Sequence, residues 1–372
     1  MRRRLRTSIL AIVSVGVLVC SQAAALAAPA PHSRSSASRS STSRRTRYSY
    51  PKVDPTKGDV SDFDDPVVRQ VAVDALGHLN GSVLALDPSS GRILTVVNQH
   101  MAFSEGFEPC STIKPVVALA GLEKGVITRD TMLSVARRRY MDLTEAMAHS
   151  NNKYFEVVGK QLGFDTVVEY AKLLGLGQRT SEGIPEEQPG SLPAAPPWGG
   201  VARMSSFGSG FRITPFQLAS LISTLANGGT MYFLQYPRTA EELAEFTPKV
   251  RRQLDIAALV PEIQQGMLAA VLYGTARGSY DPAGEQPLGK TGTCNDENAG
   301  GRIGWYVSYA DVEHPKIVLV VLLRGGSRRM TSGPKAADIA GKIYRGLSER
   351  NFFATRESQP VSTADASGSG RN

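Results

Sequence analysis

Apolar residues recur at helical spacing from Pro66 to Leu79 (PVVRQVAVDALGHL), and the run stops at Asn80-Gly81, a pair suited to ending a helix. Two β-rich runs follow, SVLALD and ILTVVN, joined by the turn PSSGR, which predicts a hairpin-like pair of strands from Ser82 to Asn98. Near the far end, Arg302 to Ala310 and Lys316 to Leu323 predict a second β pair, and an amphipathic helix follows from about Pro334 to Arg350. Between these ends the spacing predicts helices over Ser111–Lys124, Leu143–Leu162, Asp165–Leu174 and Pro215–Asn227, interrupted by a Pro/Gly-rich loop from Gly183 to Gly200. The pattern is that of an α+β fold: an antiparallel sheet built from both ends of the chain, flanked by helices, with a central, mostly helical subdomain.

Both extremities lie outside this pattern. Residues 1–27 join a cationic MRRRLR start to an apolar stretch from Ser8 to Val19 and a small-x-small site at Ala25-Leu26-Ala27, the signature of a signal peptide or, if uncleaved, a membrane anchor. Export of the body is expected either way, to a periplasm or cell envelope. Membrane contact is expected through this segment alone. Residues 28–65 read as a flexible linker, Ser/Arg-rich up to Lys52, and residues 353–372 as a polar tail. The folded domain is expected over 66–352.

Charge sharpens this division. The chain carries a formal +8, but residues 1–52 hold ten Lys and Arg and no acid, leaving 32 bases against 34 acids in the remainder. The basic character belongs to the arm, so nucleic acid is excluded as the partner of the body. Removal of a signal peptide would leave two of the three cysteines, Cys110 and Cys294, in a compartment where disulfides persist.

Three short segments carry candidate chemistry. Ser111-Thr112-Ile113-Lys114 opens a predicted helix, and its i, i+3 spacing puts the hydroxyl and the amine on one face. A serine needs a neighbouring base to become a nucleophile, and a lysine serves if desolvation lowers its pKa. Ser150-Asn151-Asn152 follows in a helical apolar context. Lys290-Thr291-Gly292-Thr293 sits beside the second β pair, where a strand offers backbone groups to an extended peptide, two polar side chains meet a carboxylate, and Gly292 leaves room for a substrate backbone. Each segment alone is common; a serine of this kind is as good a helix cap as a nucleophile. Together, in this order, they point to one active site.

The three motifs, with LDPSSGRILTVVN, AFSEGFEPCSTIKPVVALAGLEKG, FGSGFRITPFQLASLISTLANGG, MLAAVLYGTARG and GKTGT…GWYVSYA, resemble the penicillin-binding protein transpeptidase domain of the serine β-lactamase/DD-peptidase superfamily over roughly residues 80–345. The resemblance implies that Ser111 is acylated and that Lys114 accepts its proton. It implies that Ser150 relays a proton to the leaving group, and that Asn152 holds the substrate amide. It assigns Lys290 and Thr291 to the substrate carboxylate, with Lys290 also available for proton transfer. The backbone N–H groups of Ser111 and Thr293 become the oxyanion hole. The implied partners are peptidoglycan stem peptides ending in D-Ala-D-Ala and the β-lactams that mimic them; no cofactor is implied. The same likeness brings Cys110 and Cys294 together as a disulfide, like the pair at these relative positions in class A carbapenemases.

Two features depart from the family pattern. Cys110 stands where relatives commonly have Gly, and the stretch from Gly125 to Arg139 looks shortened. The five histidines show no metal-ligand spacing, so no metal is expected. Glu186 and Glu187 read as structural loop carboxylates, and Trp198 and Trp305 as core or cleft-wall residues. The expected activity is a serine D,D-transpeptidase or D,D-carboxypeptidase. The alternatives are a serine β-lactamase and a non-catalytic β-lactam-binding scaffold. Sequence leaves the oligomeric state open.

Overall fold

The computed structural model describes residues 53–296, 300–310, 312–327 and 329–355. The expected signal or anchor segment, most of the expected linker and nearly all of the polar tail lie outside these residues. Among the described residues no helix is long and apolar enough to cross a membrane.

Five antiparallel strands form the central sheet: β1 (Gly81–Leu86), β2 (Ile93–Val97), β7 (Leu288–Asn295), β8 (Arg302–Ala310) and β9 (Ile317–Arg324), in the spatial order β2-β1-β9-β8-β7. The two smaller hairpins between them in the chain, β3 (Leu133–Ala136) with β4 (Arg139–Met141) and β5 (Thr230–Tyr232) with β6 (Val250–Gln253), stand apart from it. The sheet is thus assembled from both ends of the chain, as the hydrophobic pattern implies. Its innermost strand explains why β9 reads as an unbroken apolar run. Ile317, Leu319, Val321 and Leu323 enter one core, while Val318, Val320 and Leu322 enter the other. Successive side chains point to opposite faces, and here both faces are covered, so neither set can be polar.

The first face is covered by the helices Pro66–Leu76 and Gly333–Glu349, one from each end of the chain, through Val68, Val71, Leu76, Ile339 and Ile343. The second carries the helical subdomain, including Pro215–Ala226, in which every residue is buried. Thr214 and Gln217 close the start of that helix in a reciprocal capping box.

Several boundaries differ from the sequence reading. The continuous helix expected over Leu143–Leu162 is two helices, Leu143–Ala148 and Asn152–Leu162, parted at His149-Ser150-Asn151. Ser150 there takes φ of +53°, and Asn151 caps the second helix by accepting from the Tyr154 N–H at 3.0 Å. Apolar periodicity cannot register this break, because Ala146, Met147, Tyr154 and Phe155 on either side all face the core. The helices Gly200–Phe207 and Val260–Leu272 were not anticipated.

Residues 53–65, assigned to the linker for their polarity, pack against the body. Asp59 binds Arg69 at 2.7 Å and accepts from the backbone N–H groups of Asn98 and Gln99 at 3.0 and 2.8 Å. Asp64 accepts from Thr95 and from the Tyr236 hydroxyl, each at 2.6 Å, and Asp65 caps the first helix. Its acids are its anchors. Removing one partner of a buried pair typically costs about 3 kcal/mol or more. Asp59→Ala should therefore lower the unfolding free energy by an amount of that order, read as a lower urea midpoint at unchanged m; a midpoint unmoved by the change would return the segment to the linker.

Candidate active site

Ser111 lies in a single 3-10 turn, Cys110–Ile113, that leads directly into the helix Lys114–Glu123. Lys114 is its first residue and is wholly buried. Its Nζ stands 3.0 Å from Ser111 Oγ, 3.0 Å from Ser150 Oγ, 2.7 Å from the Ser150 carbonyl oxygen and 2.8 Å from Asn152 Oδ1. The left-handed conformation of Ser150 is what turns both its oxygens toward the amine. A non-glycine residue held there costs on the order of 1–2 kcal/mol, which the caps and packing of the two flanking helices must offset.

These four neighbours suit a neutral amine. The Ser150 carbonyl and Asn152 Oδ1 can only accept, so they take the two N–H groups, and the lone pair is left for a hydroxyl proton from Ser111 or Ser150. Burial holds the Lys114 pKa well below the ordinary lysine range, and the nearby charge of Lys290 lowers it further; Glu156 pulls weakly the other way. Lys290, also fully buried, is brought down to about 7 by burial. It donates to Ser150 Oγ and to the Thr291 carbonyl oxygen, both at 2.8 Å. Neither lysine has a carboxylate partner among the described residues. Ser150 Oγ therefore bridges two amines whose burial favours loss of a proton.

The third segment reaches this site on β7. Thr291 shares a hydrogen bond of 2.7 Å with Thr275, a residue that sequence reasoning did not single out although the quoted block MLAAVLYGTARG contains it. Thr275 also donates its backbone N–H to the Ala148 carbonyl at 3.1 Å, so one residue ties the Ser150 turn to the edge strand. Ser111, Ser150, Asn152, Thr275, Thr291 and Thr293 line one cleft together with Phe207, Ser332 and Pro334.

The room at Gly292 is used differently from the sequence reading. A Cβ there would come within 2.9 Å of the Pro109 carbonyl oxygen and 3.1 Å of the Thr112 methyl. The glycine lets β7 press against the Ser111 turn, and that approach, not a substrate backbone, fills the space. Cys110 and Cys294 close the same contact with a disulfide, their α-carbons 5.6 Å apart across 184 residues. Cys110 has φ of +52°, a conformation that favours glycine, so the bond holds a cysteine where a more permissive residue would be the cheaper choice.

The remaining candidates separate clearly. Glu187 is fully buried and accepts from the backbone and hydroxyl groups of Thr180 and Ser181; Glu186 pairs with Arg238 at 2.7 Å. Both stabilise the loop, and among the described residues no carboxylate lines the cleft. Trp305 is a core residue whose indole donates to the Glu108 carbonyl oxygen at 2.9 Å, just ahead of the Ser111 turn. Trp198 does not belong to the core: it is 84% exposed.

Comparison with known proteins gives the family. The family model for the penicillin binding protein transpeptidase domain matches residues 81–345. The probable peptidoglycan D,D-transpeptidase PbpC of Pseudomonas aeruginosa is 26% identical over 323 residues, covering 74% of this chain and 55% of that protein. The peptidoglycan D,D-transpeptidase PbpA of Mycolicibacterium smegmatis is 27% identical over 354 residues, covering 77% of this chain and 72% of that protein. The chain thus spans little more than half the length of the first relative. The solved transpeptidase domain of Burkholderia pseudomallei penicillin-binding protein 3 shares the fold, with a TM-score of 0.65 and 19% identity over 80% of this chain and 96% of that one.

Closing a loop as long as that between Cys110 and Cys294 contributes at most on the order of 5 kcal/mol. Cys294→Ser, or reductant, should lower the melting temperature, by about 10 °C at that upper limit. Native protein should yield no alkylatable thiol on either cysteine; two reactive thiols in protein purified from an oxidising compartment would refute the bridge.

Proposed function

This chain belongs to the penicillin-binding protein transpeptidase family, and from that premise we propose that it is an envelope serine D,D-transpeptidase or D,D-carboxypeptidase acting on peptidoglycan stems that end in D-Ala-D-Ala. The observation that carries this reading is the pair of buried lysines on either side of Ser150. Burying an amine without a carboxylate is costly, and a purely structural site would have replaced it with an apolar side chain. Here the cost yields a base 3.0 Å from a hydroxyl that opens onto the cleft.

In this mechanism the Ser111 hydroxyl gives its proton to neutral Lys114 as its oxygen attacks the carbonyl carbon of the penultimate D-Ala. The tetrahedral oxyanion forms against the backbone N–H groups of Ser111 and Thr293, which the Gly292 contact and the disulfide hold in register. The C–N bond then breaks. The departing D-Ala amine takes a proton from Ser150 Oγ, which is restored from Lys114 or Lys290. Asn152 orients the substrate amide, and the terminal carboxylate lies at Lys290 and Thr291. An amine or water releases the acyl group by the same path in reverse.

Hydrolysis of β-lactams as a main activity is the weaker reading. Rapid deacylation calls for a base that activates water on the acyl-enzyme, and the loop carboxylates Glu186 and Glu187 are engaged elsewhere. Export, and any anchoring through residues 1–27, belong to the same proposal, since stem peptides are met in the envelope.

Fluorescent penicillin should label the protein with one adduct that persists for hours, on the peptide containing Ser111, and Ser111→Ala should abolish it. Lys114→Ala should slow acylation by at least about 10²-fold, and Lys114→Arg should fail as well, because guanidinium does not give up its proton. Turnover of the adduct within seconds would favour the β-lactamase instead.

Acylation should also depend on pH with a definite sign. The base must be neutral, so the rate should be low in acid, rise with pH, and level off near or above about pH 7, where Lys290 loses its proton. The two lysines share Ser150, so the limb belongs to the pair and not to either residue alone. A rate flat from pH 5 to 9 would exclude a titrating lysine base.

A further inference from the structure

Trp198 is the most exposed large apolar side chain among the described residues, and it is not loosely placed. The Arg203 guanidinium stacks on its ring at 5.2 Å and on the Phe207 ring at 5.1 Å. Phe207 in turn lines the cleft with Ser111. Arg203 is itself positioned: its Nε donates to Ser209 Oγ at 3.0 Å, and that hydroxyl donates to Glu108 Oε1 at 3.1 Å. Gly199, at φ of +85°, keeps the turn against the arginine, since a Cβ there would come within 2.7 Å of its Cδ. Gly210 likewise lets Pro193 and Pro197 close on the ledge from below. A ring–guanidinium–ring stack is thus built out from the cleft and ends on an indole face open to solvent. Exposure of so much apolar area has a cost in water that a bound ligand removes.

We propose that Trp198 and Arg203 form a subsite for the stem peptide upstream of its D-Ala-D-Ala end, taking a peptide residue that bears a side-chain carboxylate. This rests on the reading of the cleft as a D,D-transpeptidase or carboxypeptidase site. The two stacked contacts carry the ledge at most about 10 Å beyond Phe207, the reach of roughly three extended residues. That length matches the part of a stem peptide just before the scissile bond. The chemistry matches as well: the indole covers the aliphatic part of such a residue, and the planar guanidinium presents its outer N–H groups to a carboxylate. Stacking between two rings confines the plane of the guanidinium before the ligand arrives, which lowers the entropy lost on binding.

The chain has two tryptophans, Trp305 buried and Trp198 exposed, so the Trp198 signal is the part of the indole emission change that a Trp198→Phe protein lacks. In the Ser111→Ala protein, a stem pentapeptide with a carboxylate on its third residue should shift or quench this emission saturably. Acetyl-D-Ala-D-Ala should not. With the active enzyme, Trp198→Ala should raise KM for the pentapeptide about tenfold with little change in kcat. The accompanying change in the rate of penicillin acylation should be at least fivefold smaller. Arg203→Gln should reduce the preference for that pentapeptide over its carboxamide analogue. A pentapeptide that leaves the emission unchanged, or a Trp198→Ala variant that loses pentapeptide, dipeptide and penicillin reactivity equally, would overturn the subsite. Failure of the underlying activity looks different: wild-type protein would then neither accept penicillin nor release D-Ala from any of these peptides.

Discussion

Everything in the site is organised around one buried amine. Lys114 Nζ has four oxygens around it, from the nucleophile turn and from both sides of the Ser150 break. An amine placed this way can be neither solvated nor paired with a carboxylate, so its environment selects the uncharged form and leaves a lone pair for a hydroxyl proton. The left-handed turn at Ser150 and the interruption of the helix on either side of it follow from supplying that amine with acceptors, and the second buried lysine donates to the same Ser150 hydroxyl.

The sheet serves as the brace for this arrangement. Its edge strand β7 must lie flush against the turn that carries Ser111, and three features enforce the contact: the missing side chain at Gly292, the Cys110–Cys294 bond, and the packing of Gly333 onto Thr291 and Gly292 from the other side. A Cβ at Gly333 would meet the Thr291 Cβ at 2.7 Å, and the Gly333 N–H donates to Thr293 Oγ1 at 2.7 Å. The last long helix therefore starts against the strand that borders the cleft. The rigid sheet thus holds one wall of the site, and the helical subdomain holds the other.

Much of this was legible in the chain. The paired β signals near each end implied a sheet that joins the termini of the folded part. The three motifs, in order, identified the residues that the fold gathers into one cleft. Where sequence reasoning failed, the cause was physical in each case. Residues 53–65 were joined to the Ser/Arg-rich linker because they carry no periodic apolar signal, and only the folded chain supplies the Arg69, Thr95 and backbone partners that bury Asp59 and Asp64. The helix over Leu143–Leu162 looked continuous because its core-facing positions keep their period across a break made by backbone torsion alone. Trp198 looked like a cleft-wall or core residue because its hydrophobicity is visible in sequence and its exposure is not.

Sequence by itself determined which groups are available, a hydroxyl and an amine one helical turn apart, an Ser-Asn pair, and a K-T-G-T strand, together with the α+β architecture that hydrophobic periodicity encodes. Those properties are local, set by residue type and spacing along a few turns of chain. The tertiary structure alone decided that burial lowers the Lys114 pKa, that Gly292 makes room for the Ser111 turn, that Thr275 binds Thr291, and that Trp198 stands open above Arg203. These depend on desolvation and on distances between segments tens to hundreds of residues apart, quantities that exist only once the sheet and the helices have closed on each other.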